Sequence, residues 1–336
     1  MYICDPRFCC AKKEHLMRRL TRTLIWVLCF GALIVSAQLS SFLSADSGDV
    51  TELAPGVFFR EQTEGCNNGW IVFKDYVLVV DANFPEHAAK VVEAIKKTTD
   101  KPIKFVFDTH YHGDHAFGNA IYTNDGAVAV ATETCLLQLL EKGHPAFEEE
   151  KVTRADYRKT YLANPTVLFD TKIIFDDGDK RVELLYNGHA HTAGDAVAYL
   201  PKEKILFTGD SVVDGPFNYT GDSNTESWIK VIDRLKKLDI NTVAPGHGAL
   251  SGPELLDLQQ RYFIELRGTI QKYINNGKSL DEIKASIDLP FYEKWTGVPV
   301  RDRVENIEHV LHTACFQNVL HTGIITVLFL ECFAAT

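Results

Sequence analysis

The sequence predicts an α/β (α+β) fold of two sheets packed face to face between outer helices, a four-layer αββα sandwich. Three observations carry this. Short apolar runs separated by turns recur in two blocks, at residues 57–80 and 182–207. Each block is flanked by stretches with helical apolar spacing, the pattern of helices that cover a sheet. Potential metal ligands stand where apolar strands end, the place where α/β sheets put their chemistry.

At the N-terminus, Met17 opens Met-Arg-Arg-Leu-Thr-Arg-Thr, followed by the apolar run Leu24 to Val35 and then Val35-Ser36-Ala37. A basic start, a short apolar centre and an A-x-A-like end read as a secretory signal peptide cut after Ala37. The apolar run falls short of the roughly twenty residues that span a bilayer. The expected address is therefore periplasmic or secreted, with anchoring through an uncleaved leader as the alternative. Because Met17 opens the signal so cleanly, Met1 to Leu16 is expected to be an early start assignment. Cys29 lacks the small residues before it that a lipoprotein signal would show.

Residues 1–37 form the leader, 48–313 the folded domain and 314–336 an apolar tail of unassigned role. The whole chain is 46% hydrophobic and 24% charged, an ordinary globular composition. Its formal charge is −10, and the leader holds six Lys/Arg against two Asp/Glu, so residues 38–336 carry −14. So acidic a chain is a poor nucleic-acid binder, and a small-molecule substrate is the expected partner. Membrane contact is expected only through an uncleaved leader, and oligomeric state is left open. Cys66, Cys135, Cys315 and Cys332 are scattered singly, with no C-x-x-C to suggest a cysteine-rich zinc site. A chain this long has no need of an essential disulfide.

Within the domain, Val57-Phe-Phe, Trp70 to Phe73 and Val77 to Val80 read as antiparallel strands. Pro85 starts a helix to about Lys97, with Ala88, Val91, Val92 and Ile95 on one face. Lys104 to Phe107 follows as a strand. The second block gives strands Val182 to Tyr186, Ala196 to Leu200 and Ile205 to Phe207, then a helix Thr225 to Leu238. Strand Thr242 to Ala244 and a long helix from Pro253 close it. The turn Cys66-Asn-Asn-Gly-Trp70 reads either as a mobile flap over the cleft, with Trp70 as its apolar face, or as core.

The densest chemistry is His110-Tyr-His112-Gly-Asp114-His115, directly after Phe105-Val-Phe. Imidazole nitrogen and carboxylate oxygen are zinc ligands at ~2.0 to 2.2 Å, and four such side chains in so short a stretch can serve two ions. A solvated loop with an Asp cap is the plain alternative, and further ligand-type residues downstream argue against it. These are Gly188-His189-Ala-His191-Thr192-Ala-Gly194-Asp195, Phe207-Thr-Gly-Asp210-Ser and Ala244-Pro-Gly-His247-Gly248, each ending a strand and beginning a loop.

H-x-H-x-D-H, His-Thr-x-Gly, Thr-Gly-Asp and Pro-Gly-His-Gly in this order resemble the metallo-β-lactamase superfamily of αββα hydrolases, over roughly Val57 to Gly248. The resemblance implies His110, His112 and His191 as ligands of one zinc and Asp114, His115 and His247 as ligands of a second. Asp210 would bridge the two, and Asp81 would support the ligand histidines. His189 competes with His191, but His191 is the one followed by Thr. The remaining histidines, among them His87, His144, His309, His312 and His321, receive no role.

Two such zincs, ~3.5 to 4 Å apart, lower the pKa of bound water from 15.7 to about 7 and polarise a carbonyl. Asp114 is the expected catalytic residue, orienting that water or shuttling its proton. The expected reaction is hydrolysis of an ester, thioester or amide-type bond, as in the glyoxalase-II-like branch. The loop Asp214-Gly-Pro-Phe-Asn-Tyr-Thr-Gly-Asp-Ser-Asn before Trp228 looks like that of the β-lactam-cleaving branch. That branch, however, usually carries Cys at the bridging site and Lys three residues later, where this chain has Asp210 and Val213. Lys230 is a candidate to replace the missing cation. An iron-dependent oxidoreductase or dioxygenase of the same fold is the alternative of another class, with Fe or Mn in the same ligands.

Overall fold

The computed structural model describes residues 49–62 and 64–322, with side chains as far as residue 313. The leader at 1–37 and residues 323–336 of the tail lie outside the described residues. Among the described residues no helix is long and apolar enough to cross a membrane.

The first sheet has seven strands in sequence order: β1 (Val50–Ala54), β2 (Val57–Arg60), β3 (Asn68–Val72), β4 (Val77–Val80), β5 (Ile103–Phe107), β6 (Val128–Thr132) and β7 (Val167–Phe169). β1 to β4 pair antiparallel, as the turn-separated apolar runs predict, and β4 to β7 pair parallel. The second sheet runs β12-β11-β10-β9-β8, with β8 (Lys172–Asp176), β9 (Arg181–Tyr186), β10 (Ala196–Leu200), β11 (Ile205–Gly209) and β12 (Thr242–Pro245). Only its β11–β12 pair is parallel.

Three apolar layers explain why the sheets stack. Phe59, Ile71, Leu78, Val80 and Phe107 from the first sheet meet Leu184, Ala198, Leu200 and Phe207 from the second. The outer face of the first sheet is covered by helix α1 (Pro85–Thr98) and, after the single-turn helix α2 (Gly113–Ala116), by α3 (Asn119–Thr123). There Trp70, Val77, Val79 and Val106 meet Ala88, Val91 and Ile95 of α1 and Tyr122 of α3. All four residues of β4 are consequently buried, because both faces of the strand are covered. Pro85 at the start of α1 fits the first turn, where an N–H has no partner to lose.

Periodicity assigns no element between Phe107 and Val182. The structure fills that interval with β6 to β8 and with helices α4 (Glu133–Gln138) and α5 (His144–Thr153), joined by a wide turn Leu139–Gly143. α5 has little amphipathic pattern, and of its residues only Phe147 is fully buried. These helices close one side of the site through Tyr111, Phe117, Phe147 and Tyr157.

On the outer face of the second sheet lie α6 (Thr225–Leu235), α7 (Glu254–Asn275), α8 (Leu280–Ser286), α9 (Pro290–Thr296) and α10 (Val304–Thr322). Trp228, Tyr262, Phe263, Leu266, Tyr292 and Ile307 form the core between them. α6 stops three residues before Leu238, where turn bonds Lys237 N–H to Arg234 and Leu238 N–H to Leu235 tighten the chain. α10 runs continuously through residue 313, where the sequence marks the start of the tail.

Trp70 is core rather than flap. It is fully buried, donates from Nε1 to Thr98 Oγ1 at 3.1 Å and stacks on Phe58. The preceding turn is fixed too: Asn67 donates its N–H to the Gly246 carbonyl at 2.7 Å and its side-chain amide to the carbonyls of Pro245 and Gly248. That turn supports the loop carrying His247.

Candidate metal centre

The site sits at strand ends, held by backbone that only particular residues allow. β4 ends at Asp81, which takes a left-handed conformation (φ 65°) that Asp tolerates better than most residues. Its N–H donates to the Phe107 carbonyl at 2.8 Å, tying the ends of β4 and β5 together. Its carboxylate then accepts from Thr109 N–H at 2.9 Å and from His115 Nδ1 at 2.9 Å. His112 caps α2, so His110, His112, Asp114 and His115 are presented on one tight turn.

The other candidate ligands arrive from the second sheet. His191 lies in the turn between β9 and β10, where the buried Asp195 carboxylate accepts from His191 N–H, Thr192 N–H and Thr192 Oγ1 at 2.7, 3.0 and 2.6 Å. Asp210 follows β11 and His247 follows β12. Gly246 N–H donates to the Gly209 carbonyl at 2.9 Å, and a Cβ at Gly246 would stand 2.1 Å from Asp210 Oδ1. Only glycine fits there.

Two groups of donor atoms converge. His110 Nε2 and His191 Nε2 lie 3.2 and 2.9 Å from His112 Nδ1. Asp114 Oδ2 lies 3.6 Å from His115 Nε2 and 3.1 Å from His247 Nε2. Asp210 reaches into both groups, at 3.3 Å from His115 Nε2, 3.4 Å from His247 Nε2 and 3.6 Å from His191 Nε2. Ligand atoms around a tetrahedral ion with bonds of about 2.0 to 2.1 Å stand about 3.3 Å from one another, so the spacing matches.

Proton placement makes the argument stronger. His191 Nδ1 is 3.0 Å from the Tyr219 carbonyl and His112 Nε2 is 2.9 Å from Asp222 Oδ2. Both partners only accept, so each imidazole donates outward and turns a bare lone pair inward. The Nδ1 of His115 is likewise directed outward, to Asp81 at 2.9 Å. Two lone pairs 2.9 Å apart repel unless a cation lies between them. His115 Nε2 and Asp210 Oδ1 are likewise buried without a hydrogen-bond partner. Nitrogen and oxygen donors in these numbers suit zinc, and also iron or manganese.

Electrostatics agree. Burial and then the neighbouring imidazole of His112 hold His191 down to about 3, and burial, His115 and His112 keep His110 well below the ordinary histidine value. His110 and His191 are therefore held neutral. In the second group burial opposes charge, yet His247 and His115 hold Asp210 well below the usual carboxylate range, and His115 and His247 hold Asp114 at about 2. His247 rises to about 10 against its own burial because Asp210 and Asp114 face it. Protons there occupy the place a cation would fill.

All seven expected ligand residues therefore meet in one place, and Asp81 supports His115 as expected. His189 stays outside: its Nε2 donates to the Asp222 carbonyl at 2.8 Å. His87, His144 and His309 are engaged by Glu64, Asn164 and Ser223 away from the centre, and the His321 side chain lies outside the described residues. Sequence reading gave no role to Asp222, whose carboxylate accepts from His112 Nε2, from Tyr111 OH at 2.6 Å and from Lys142 Nζ. These donors, His112 first, hold it far below its usual range. Asp195 is the other residue missed. Both lie beside recognised motifs, but an acidic residue in a polar loop carries no periodic signal.

A cleft of about 460 Å³ opens beside His112 and Asp114, walled by Phe84, Tyr111, Phe117, Tyr157 and Tyr219. Its cation is Lys142, on the turn between α4 and α5. Lys230 does not serve: it is exposed on α6 and pairs with Glu226 at 2.8 Å. Val213 is fully buried.

Comparison with known proteins adds four findings. The family model of the Metallo-beta-lactamase superfamily matches residues 63–247. Metallo-beta-lactamase IND-1 of Chryseobacterium indologenes is 26% identical over 65% of this chain and 91% of its own length. The alpha subunit of 2,4-dinitroanisole O-demethylase of a Nocardioides species is 29% identical over 44% of this chain and 41% of its own length. Among solved structures, a metallo-beta-lactamase from Pontibacter korlensis superposes with a TM-score of 0.55 at 24% identity, covering 65% of this chain and 99% of that one.

Proposed function

Because the chain belongs to the metallo-beta-lactamase superfamily, we propose that it is a zinc-dependent hydrolase cleaving an ester, thioester or amide-type bond of a small molecule. The observation that carries this is the inward convergence of imidazole nitrogens and carboxylate oxygens from the strand ends of both sheets. His110, His112 and His191 would hold one ion, Asp114, His115 and His247 a second, and Asp210 both. Bound zinc supplies Lewis acidity and a nucleophile of hydroxide strength at neutral pH.

The chain's own groups do the rest. Asp114 stands at the junction of the donor cluster and the cleft, where its carboxylate accepts a hydrogen bond from the attacking water and sets its direction. The aromatic walls bind the apolar body of the substrate and exclude water, and Lys142 offers a cation to a polar substituent. The leader supports a periplasmic or secreted address.

A second reading, β-lactam hydrolysis, is supported by similarity to the Chryseobacterium enzyme across 91% of its length. Against it stand Asp210 in place of Cys and the buried Val213 in place of Lys. The test is metal content of the purified protein, followed by turnover of thioester, lactone and β-lactam substrates. Zinc with thioester or ester cleavage is expected. The Asp114→Asn variant, assayed at zinc concentrations that restore its full metal content, should lose about 100- to 10,000-fold in turnover, the scale of a general acid–base contribution. Preferential β-lactam cleavage would install the second reading. Iron with oxygen consumption, or unchanged turnover in the variant, would refute a hydrolysis directed by Asp114.

A further inference from the structure

Two of the zinc-facing imidazoles are oriented by a single loop: Tyr219 supplies the carbonyl that accepts from His191, and Asp222 the carboxylate that accepts from His112. Loop residues hold a direction only if something holds the loop. Here the support comes from helices beyond residue 247, where the superfamily match ends.

Asn306, on α10, is fully buried. Its amide donates to the Asn218 carbonyl and, at 2.8 Å, to Tyr262 OH on α7, while its Oδ1 accepts from Thr220 Oγ1 at 3.2 Å. Asn218, buried as well, donates to Gln259 Oε1 on α7 at 2.6 Å and accepts from Tyr292 OH on α9 at 3.4 Å. One turn further along α10, His309 Nε2 donates to the Ser223 carbonyl at 3.0 Å. Residues 218, 220 and 223 are thus gripped on either side of Tyr219 and Asp222.

This polar set lies in an otherwise apolar layer of Phe263, Leu266, Ile307 and Val310. A buried hydrogen bond contributes little net stability, and apolar residues would fill the space with no polar group to satisfy. What the set adds is a single position for the loop. We propose that the C-terminal helices, with Asn306 as the central positioning residue, tune the metal centre by fixing the loop that orients His191 and His112. The proposal rests on the reading of the site as a metal centre.

The test measures zinc affinity by competition with a chromophoric chelator in the wild-type protein and in Asn306→Leu, Thr220→Val and Ile307→Val. Ile307→Val trims the same apolar layer without touching the network. Alongside, the Nδ1–H resonance of His191 is followed in zinc-loaded protein with ¹⁵N-labelled histidine. Loss of an outer partner of a metal ligand typically weakens binding about 10- to 100-fold. Asn306→Leu is expected to lose about tenfold and to shift or broaden the His191 signal. Thr220→Val should lose less in the same direction, and Ile307→Val should keep both affinity and signal.

Wild-type affinity in Asn306→Leu, or an equal loss in Ile307→Val, would overturn the proposal. If Asn306→Leu fails to fold, Thr220→Val decides, and wild-type affinity there overturns it too. A wild-type protein that takes up no zinc would instead remove the metal-centre reading on which this stands.

Discussion

At the scale of single residues, the centre depends on side chains that are missing as much as on those present. Gly246 lets the His247 turn lie against Asp210, and a methyl group there would also meet the Gly209 carbonyl carbon at 2.7 Å. Either the carboxylate or β11 must move. A shift of about 1 Å at a catalytic centre lowers rate about 100-fold. Gly246→Ala is therefore expected to bind less than the full complement of zinc and to turn over about 100-fold more slowly, as metal analysis and steady-state kinetics will show. Wild-type zinc content in that variant would mean that the turn has slack the distances do not reveal. The candidate ligands were legible in sequence because imidazoles and carboxylates crowd after apolar strands. Asp222 was not, because its role lies only in the direction it imposes on His112.

At the scale of elements, the loop between β11 and α6 carries more of the site than its composition suggests. Its end is anchored by Asn224, which caps α6 by accepting from Ser227 N–H at 3.0 Å and whose own N–H donates to the Ala190 carbonyl at 3.0 Å. The cap thus links α6 to the turn that holds His191. Asn224→Ala removes a cap worth about 1 kcal/mol. A lower melting temperature by a few degrees is expected in calorimetry, and no change would show that the backbone bond to Ala190 alone holds the helix start. Short amphipathic strands and the long helices were legible from period. α4 and α5 were not, because α5 buries only Phe147 fully along its length and its apolar residue Val152, with Leu137 and Leu140 nearby, faces solvent.

At the scale of the whole molecule, the two sheets meet through an apolar interior but hold an electrostatic problem at their common edge. His112 from the first sheet and His191 from the second face each other through ring nitrogens 2.9 Å apart, and a cation between them would join the two sheets. Metal binding to the folded chain alone should then raise its stability. With free zinc about 1,000-fold above the dissociation constant the gain is about 4 kcal/mol, which for a domain of this size is a shift of about 10 °C. Chelator-treated protein is expected to melt lower by that order and to recover on adding zinc back. Identical melting curves would deny that the sheets are joined through metal.

The sequence by itself determined the layered fold and pointed to the candidate donor groups, since apolar period and residue chemistry are both local properties of the chain. The family resemblance pointed to Asp81 as their support, and its carboxylate does accept from His115 Nδ1. Only the tertiary structure decided that Trp70 is core, that Lys142 rather than Lys230 enters the cleft, and that Asn306 braces the loop holding His191 and His112. Those outcomes depend on which distant surfaces pack together, and packing partners far apart in the chain leave no period, spacing or composition from which they can be read.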